Sequence, residues 1–311
     1  MSIFSKGRVA FGVIAVGAVV ALAGCSQADP TAPDTGNAGG GDSSQIVVGS
    51  FAFPESEILG EIYAQALKAK GFDVQTKFNI GPRQQTIPAL QDGSINLIPE
   101  YNGNLLAYYD TAFTQRTTDD VDAALTDAVA KDNLTVYSSA AAEDKDAYVV
   151  TQAYAQANGL TSIGDLSKVQ PFSLGANPQF AELGYGIPGL KSVYGVSDVT
   201  FVPYEDFGGP DTVKALTDNT VQVADIYTTS PALKAENLLV LKDPENLIAA
   251  QNVLPLLSKS IDTPELKDAL DAISAKLTTD DLIDLRNRVE GSEQASASTA
   301  AADWLKNAGL L

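Results

Sequence analysis

Histidine is absent from the 311-residue chain, and cysteine occurs only once. The protein therefore lacks the commonest metal ligand and general base, and it cannot form an intramolecular disulfide. Basic residues are also scarce, since 20 lysines and arginines stand against 39 aspartates and glutamates. A chain of net charge −19 is a poor partner for nucleic acid or an anionic lipid surface. These shortages weigh against an enzyme, a metal site or a bound cofactor.

The first 24 residues have the composition of an export signal. Lys6 and Arg8 are their only charges, and the uncharged run VAFGVIAVGAVVALAG ends just before Cys25. This run is shorter than the ~20 residues that a membrane-spanning helix needs. The string LAGC, which ends at Cys25, resembles the lipobox of bacterial lipoproteins. We therefore predict a signal peptide over residues 1–24 and lipidation of Cys25. The mature protein is then expected to be extracytoplasmic and anchored to the cell membrane by its lipid.

Residues 25–44 are rich in Gly, Pro, Ser and Asp and offer almost nothing to bury. This composition predicts a flexible, lipidated linker.

From about residue 45 onward, short β-branched runs alternate with amphipathic helical segments. The segment PESEILGEIYAQALKAKG is predicted as a helix, because Pro54 suits its first turn, Glu55 and Glu57 lie near its positive end, and its apolar residues fall on one face. The segment PRQQTIPALQDG is predicted as a short helix that Pro88 breaks. Such alternation is typical of α/β proteins with mostly parallel sheets that helices cover on both faces.

The α/β pattern divides into two units, with a polar stretch between them near residues 141–147. After about residue 250 the pattern becomes helical, and we expect these last helices to return to the first unit. The predicted organisation is therefore domain I over 45–143 and 250–311, and domain II over 144–249. Two domains of this size suit a chain in which 45% of the residues are apolar.

Three motifs that could carry enzyme chemistry have simpler interpretations. The string GYGIPG over 184–189 satisfies G-x-G-x-x-G, but no strand directly precedes it and Pro188 disfavours helical angles at Ile187. It predicts a turn-rich loop. The carboxylates of Glu143, Asp144 and Asp146 lie in a polar stretch and are interpreted as solvated. Ser230 has no histidine to activate it, so the sequence shows no hydrolase machinery.

Aromatic residues stand where several predicted strands end, at the positions Phe51, Phe53, Tyr101, Tyr204 and Tyr227. Open α/β sheets bind ligands beyond the carboxyl ends of their strands, so these rings are placed for a cleft. Core packing is the alternative for any one of them. Several such rings in an acidic chain favour a ligand with a cationic, apolar head, which the faces of aromatic rings attract.

Five segments together resemble the osmoprotectant-binding lipoproteins of ABC importers, which take up quaternary ammonium compounds such as glycine betaine, choline and carnitine. They are LAGC, GSFAFPESEILGEIYAQALKAKGFDV, IGPRQQTIPALQDGSINLIPEYNGNLLAYY, PGLKSVYG and ADIYTTSPAL. The resemblance covers nearly all of residues 46–311. It implies a type II periplasmic-binding-protein fold, in which two α/β domains are joined by two crossing hinge segments with the ligand cleft between them.

The resemblance also implies which residues hold the ligand. The family surrounds the trimethylammonium group with tyrosines, and Tyr101 and Tyr227 fall at expected positions, one in each domain. Asn104 falls where the family tunes the choice between choline and broader ligands. Glu57 replaces an amide that is often found at its position.

Two expected rings are missing, because alignment with the family places Ala140 and Ile187 at their positions. Tyr185 or Phe180 could compensate from the loop before PGLK. The resemblance further implies an ABC permease as partner and a monomeric receptor that closes around its ligand. The alternatives left open are another small polar solute, a non-transporting sensor or adhesin and, less favoured, an enzyme on the same scaffold.

Overall fold

The computed structural model describes residues 45–311. The predicted signal peptide (1–24), the linker (25–44) and the lipidation site Cys25 lie outside the described residues. The strands are β1 (Ile46–Gly49), β2 (Val74–Lys77), β3 (Leu97–Tyr101), β4 (Leu134–Val136), β5 (Tyr148–Thr151), β6 (Phe172–Ala176), β7 (Val199–Pro203), β8 (Val223–Asp225), β9 (Leu238–Val240) and β10 (Val253–Ser258). The helices are α1 (Pro54–Ala69), α2 (Arg83–Gln91), α3 (Asn102–Tyr109), α4 (Thr118–Val129), α5 (Gln152–Asn158), α6 (Ile187–Tyr194), α7 (Pro210–Thr217), α8 (Ala232–Ala235), α9 (Pro264–Ser274), α10 (Thr279–Glu290) and α11 (Ala297–Asn307).

The strands form two five-stranded sheets, ordered β2-β1-β3-β10-β4 and β7-β6-β8-β5-β9. In each sheet four strands run in one direction, and the strand that follows a crossing between the sheets, β5 or β10, runs against its two neighbours. We call the first sheet with α1–α4 and α9–α11 lobe I, and the second sheet with α5–α8 lobe II. The sheets are thus mostly parallel, with one antiparallel strand each.

The C-terminal helices pack on lobe I. Helix α1 makes its most extensive helix contact with α11, and its buried Ile58, Ile62 and Leu67 share one apolar cluster with Leu305. Pro54 occupies the first turn of α1, as its sequence predicts, and Lys68 lies in the last turn. Helix α10 also reaches lobe II, because Ile283 is buried in a lobe II cluster.

The chain crosses between the lobes twice, after β4 and after β9, and the two crossing segments lie side by side. Glu143 and Asn252 form an antiparallel bridge between them. The backbone N–H of Asp144 donates to the carbonyl of Gln251 at 3.2 Å, and that of Val253 donates to Ala142 at 2.9 Å. The lobes are therefore joined by a short two-stranded connection.

Strand β10 differs from the purely helical pattern expected after residue 250. It is buried on both faces except at Ser258, so its sequence VLPLLS lacks the alternation that marks a half-exposed strand. Pro255 is unusual in an interior strand, because proline has no N–H to donate to a neighbouring strand. It lies opposite Pro99 of β3, which lacks this donor as well.

Two prolines have less effect on helices than the sequence predicts. Helix α2 continues through Pro88 rather than breaking there. Helix α6 begins at Ile187, so Pro188 lies in the first turn, where its missing N–H costs nothing, and the predicted loop over 184–189 ends early. Strand β6 ends at Ala176, far before Gly184, so the nucleotide fingerprint still has no strand directly before it.

Candidate functional site

A cleft of about 600 Å³ opens between the two lobes near the carboxyl ends of strands β1, β3 and β8. This is the expected ligand position in an open α/β sheet. Eleven residues line the cleft: Phe51, Ala52, Phe53, Gly81, Pro82, Arg83, Gln84, Tyr101, Asn104, Asp144 and Tyr227. Lobe I, the first crossing segment and lobe II all contribute to it.

The lobe I wall of the cleft is aromatic. Phe51 and Phe53 stack with ring centroids 5.6 Å apart, and Phe53 lies 6.4 Å from the ring of Tyr101. Phe53 is 39% exposed, whereas Tyr101 is almost fully buried. Tyr227, two residues after β8, brings one more ring from lobe II. The negative faces of such rings attract an apolar cation and disfavour a phosphate.

Behind Tyr101 lies a buried carboxyl group. The Tyr101 hydroxyl donates to Oε1 of Glu55 at 2.5 Å, while Oε2 of Glu55 is buried without a hydrogen-bond partner. Burial, together with the charge of Asp144, raises the pKa of Glu55 to about 8. Burial also raises the pKa of the Tyr101 hydroxyl, so it remains a donor at neutral pH. The first turn of α1 thus fixes the orientation of the Tyr101 ring.

Asp144 joins the cleft to a polar link between the lobes. Thr229 of lobe II donates to Oδ1 of Asp144 at 2.8 Å, and Arg286 of α10 donates to the Thr229 hydroxyl at 2.9 Å. Nη1 of Arg286 is also 4.0 Å from Glu55. Burial raises the pKa of Asp144, although hydrogen bonds from Thr229 and the charge of Arg286 oppose it.

A second carboxyl pair lies on lobe II close to the cleft. Asp146 and Asp225 are near each other, and Tyr185 is near Asp146. Burial raises the pKa of both carboxyl groups, and Asp146 further raises that of Asp225. Tyr227 lies close enough for both charges to raise the pKa of its own hydroxyl, after burial as the main cause. Asp144 and Asp146 are half-buried, so the interpretation of these two carboxylates as fully solvated is wrong.

The arginine in the cleft is already paired. Arg83, at the start of α2, holds the buried Glu100 with two hydrogen bonds of 2.8 and 2.7 Å and stacks over Phe51 with its guanidinium carbon 5.3 Å from the ring centroid. Glu100 is fully buried. This ion pair braces the end of β3, which carries Tyr101.

Tyr101, Asn104 and Tyr227 are the sequence-predicted site residues that this cleft brings together. The Asn104 N–H donates to Oε1 of Gln251 at 2.9 Å, which ties α3 to the second crossing segment. Asn104 and Tyr185 both line an adjoining cavity of about 480 Å³, so Tyr185 lies beside the cleft rather than in it.

Five other predicted residues are not among those that line the cleft. Glu57 accepts a hydrogen bond from Asn79 on lobe I, and Ile187 begins α6. Ala140 is buried in the cluster that contains Tyr101, so no ring stands at its position. The remaining two, Phe180 and Tyr204, pack in lobe II: Phe180 against Tyr148 and Tyr185, and Tyr204 near Gly175.

Sequence reasoning did not assign Glu55, Arg83 or Asp144 to the site. It placed Phe51 and Phe53 at a strand end without assigning them either. Glu55 was explained by its helix-start position, which masked its burial beside Tyr101. Arg83 gave one usable signal, since it directly follows the turn GP at a predicted helix start that faces the same sheet edge as Tyr101.

The described residues offer no site for a metal ion. Across 45–311, no group of three acidic side chains is arranged to hold one. In the same range no helix is both long enough and apolar enough to span a membrane.

The family described as "Substrate binding domain of ABC-type glycine betaine transport system" matches residues 44–307. The glycine betaine-binding protein YehZ of Escherichia coli (strain K12) is 27% identical over 288 residues, covering 86% of this chain and 92% of that protein. The ergothioneine transport permease/ergothioneine binding protein EgtU of Helicobacter pylori (strain G27) is 25% identical over 276 residues, covering 86% of this chain and 48% of that protein.

Solved structures include close matches to the architecture. The crystal structure of a glycine betaine/carnitine/choline ABC transporter superposes with a TM-score of 0.78 at 21% identity, and the match covers 85% of this chain and 99% of that one. The predicted architecture of two α/β domains about a cleft is confirmed.

Proposed function

Since this chain belongs to the family of substrate binding domains of ABC-type glycine betaine transport systems, we propose that it is the extracytoplasmic receptor that delivers a quaternary ammonium solute to an ABC permease. The observation that carries the proposal is one cleft lined by Tyr101 of lobe I and Tyr227 of lobe II. A trimethylammonium group is apolar on its surface and positively charged, so the faces of two rings in one cleft attract it without hydrogen bonds.

Ligand capture proceeds by closure of one lobe upon the other. The domain boundaries that we propose are 45–143 with 250–311, and 144–249, so that the paired crossing segments act as the hinge in this type II periplasmic-binding-protein fold. Support comes from Tyr101 and Tyr227, which come from opposite lobes, so closure brings both rings onto one cation. Each ring adds about 0.5–2 kcal/mol of binding free energy.

The ligand is best sought among trimethylammonium compounds. Isothermal titration calorimetry of the purified protein should detect binding of at least one of glycine betaine, choline and carnitine. Closure should also be visible as a smaller radius of gyration in solution scattering when that ligand is added. If none of the three gives heat at millimolar concentration, the proposed function is wrong.

A second candidate is another small polar solute on the same scaffold. It is favoured by Ala140, which leaves one expected wall without a ring. Ergothioneine, which is named in the Helicobacter pylori relative, belongs in the same titration as the test of this candidate. A sensor that binds but does not transport would give the same heats, so solute uptake by cells that lack the gene separates the two. Chemical change of the bound solute would instead indicate an enzyme.

The membrane attachment is proposed from sequence alone. Lipidation of Cys25 would hold a monomeric receptor beside its permease, with residues 26–44 as a tether. Cys25→Ser should move the protein from the membrane fraction to the soluble fraction without changing its melting temperature, because the folded part begins after the tether. A variant that remains in the membrane fraction would contradict the lipobox interpretation.

A further inference from the structure

Among the described residues, the cleft is lined by one acidic side chain and by no unpaired basic one. Asp144 lines it directly, beside Tyr101 and Tyr227. Glu55 lies behind the first ring, while Asp146 and Asp225 lie close to the second. Asp144 is therefore the carboxyl group that a ligand between the two tyrosines would meet.

The nearby arginines are balanced by carboxylates of their own. Arg83 forms its bidentate pair with the buried Glu100. Arg286 forms a similar pair with Glu290, at 2.8 and 3.1 Å, and uses its remaining nitrogen on Thr229. A ligand carboxylate would have to compete with Glu100 or Glu290 for either guanidinium.

Glu55 does not add a second free charge to the cleft. Its side chain is 2% exposed behind Tyr101, and its Oε2 has no hydrogen-bond partner. Nη1 of Arg286 is 4.0 Å from this oxygen and donates to Thr229. Burial raises the pKa of Glu55 to about 8, so the group is protonated at neutral pH and Asp144 is the acidic group that a ligand in the cleft meets.

We infer that the cleft selects a ligand of net positive charge, of the choline class, over a zwitterion of the glycine betaine class, and that Asp144 is the residue that makes this choice. The inference rests on the proposed function and narrows its substrate class. A quaternary cation between Tyr101 and Tyr227 lies beside Asp144 and is attracted by its carboxylate. The carboxylate of a zwitterion cancels that gain and meets Asp144 with like charge.

The direct test compares three ligands of similar shape by calorimetry. Choline and glycine betaine share the trimethylammonium head, and 3,3-dimethylbutan-1-ol replaces the nitrogen of choline with carbon and carries no charge. We expect choline to bind about tenfold or more tightly than glycine betaine, and the uncharged alcohol to show no binding. Glycine betaine binding that equals or exceeds that of choline overturns this inference and leaves the proposed function standing. Failure of both ammonium ligands overturns the proposed function and this inference with it.

A variant assigns the choice to Asp144. Asp144→Asn should weaken choline binding about tenfold and leave glycine betaine binding equal or stronger, so the ratio of the two dissociation constants collapses. Asp198→Asn is the matched control. Asp198 is exposed on lobe II, and its substitution removes the same charge from the protein. If Asp144→Asn does not fold, Asp144→Glu keeps the charge and should keep the preference for choline. An unchanged ratio in folded Asp144→Asn overturns the role of Asp144.

Discussion

Removal of the Tyr101 ring separates a binding role from a packing role. Tyr101→Ala deletes one wall of the cleft and also the hydroxyl that donates to Glu55 at 2.5 Å. The lost cation–π contact should cost about 0.5–2 kcal/mol, which raises the dissociation constant for a quaternary ammonium ligand about 2- to 30-fold. Stability should fall as well, because Tyr101 is buried and leaves a cavity.

Tyr101→Phe isolates the hydroxyl. The ring remains, so affinity should change little, whereas Glu55 loses its hydrogen bond and both of its oxygens are left unsatisfied. Leaving a buried acceptor without a partner costs about 1–3 kcal/mol of folding free energy. The expected pattern is therefore a lower melting temperature with nearly normal affinity.

Tyr137 provides the matched control. It is a buried lobe I tyrosine whose hydroxyl donates to Asp262 at 2.6 Å, and it does not line the cleft. Tyr137→Ala should lower the melting temperature as Tyr101→Ala does but leave affinity unchanged. Calorimetry and thermal unfolding on the same samples measure both quantities. If Tyr101→Ala behaves as Tyr137→Ala does, with stability lost and affinity intact, Tyr101 is core packing and the cleft argument fails.

Two further predictions concern the pH dependence of stability and the crossing segment. Burial raises the pKa of Glu55 from its usual 4.5 to about 8, so between these pH values the folded protein keeps a proton that the unfolded chain releases. This contribution to stability is lost as pH rises from about 4.5 through 8. Chemical denaturation from pH 5 to 9 should show the free energy of unfolding falling more steeply for the native protein than for Glu55→Gln, by up to about 1.4 kcal/mol per pH unit. Parallel curves for the two proteins would contradict the buried, protonated carboxyl. Gly103→Ala should destabilise the protein by about 1–3 kcal/mol, because its Cβ would lie 2.2 Å from the Ala250 carbonyl oxygen at the second crossing segment. Gly184→Ala, whose Cβ meets nothing within 4 Å, is the control, and equal melting temperatures for the two variants would count against the packing of α3 on that segment.

The alternation of strands and helices was readable because half-buried elements have periodic sequences. Helix α1 shows this best, since Pro54, the early acids and the apolar stripe all agree with its position in the structure. Strand β10 was missed because burial on both faces removes the period on which such reading depends. The predicted break at Pro88 was wrong for a different reason. Pro88 removes one hydrogen bond from α2, and the helix continues despite that loss.

The site was partly predictable because strand ends identify a cleft. Tyr101 and Tyr227 each follow a strand in the sequence, and the fold brings them to one cleft. The carboxyl groups of Glu55 and Asp144 were not predictable, because an acid at a helix start and an acid in a polar stretch are normally solvated. Their burial depends on contacts with Tyr101 and Thr229, which are far away in the sequence.

We propose that a quaternary ammonium group is held between the two lobes by Tyr101 and Tyr227. The decisive measurement is a crystal structure of the protein with choline bound. We expect a closed molecule with the choline nitrogen within about 6 Å of both ring centroids and beside the Asp144 carboxylate. A choline nitrogen outside the cleft, or one that touches neither tyrosine, would contradict it.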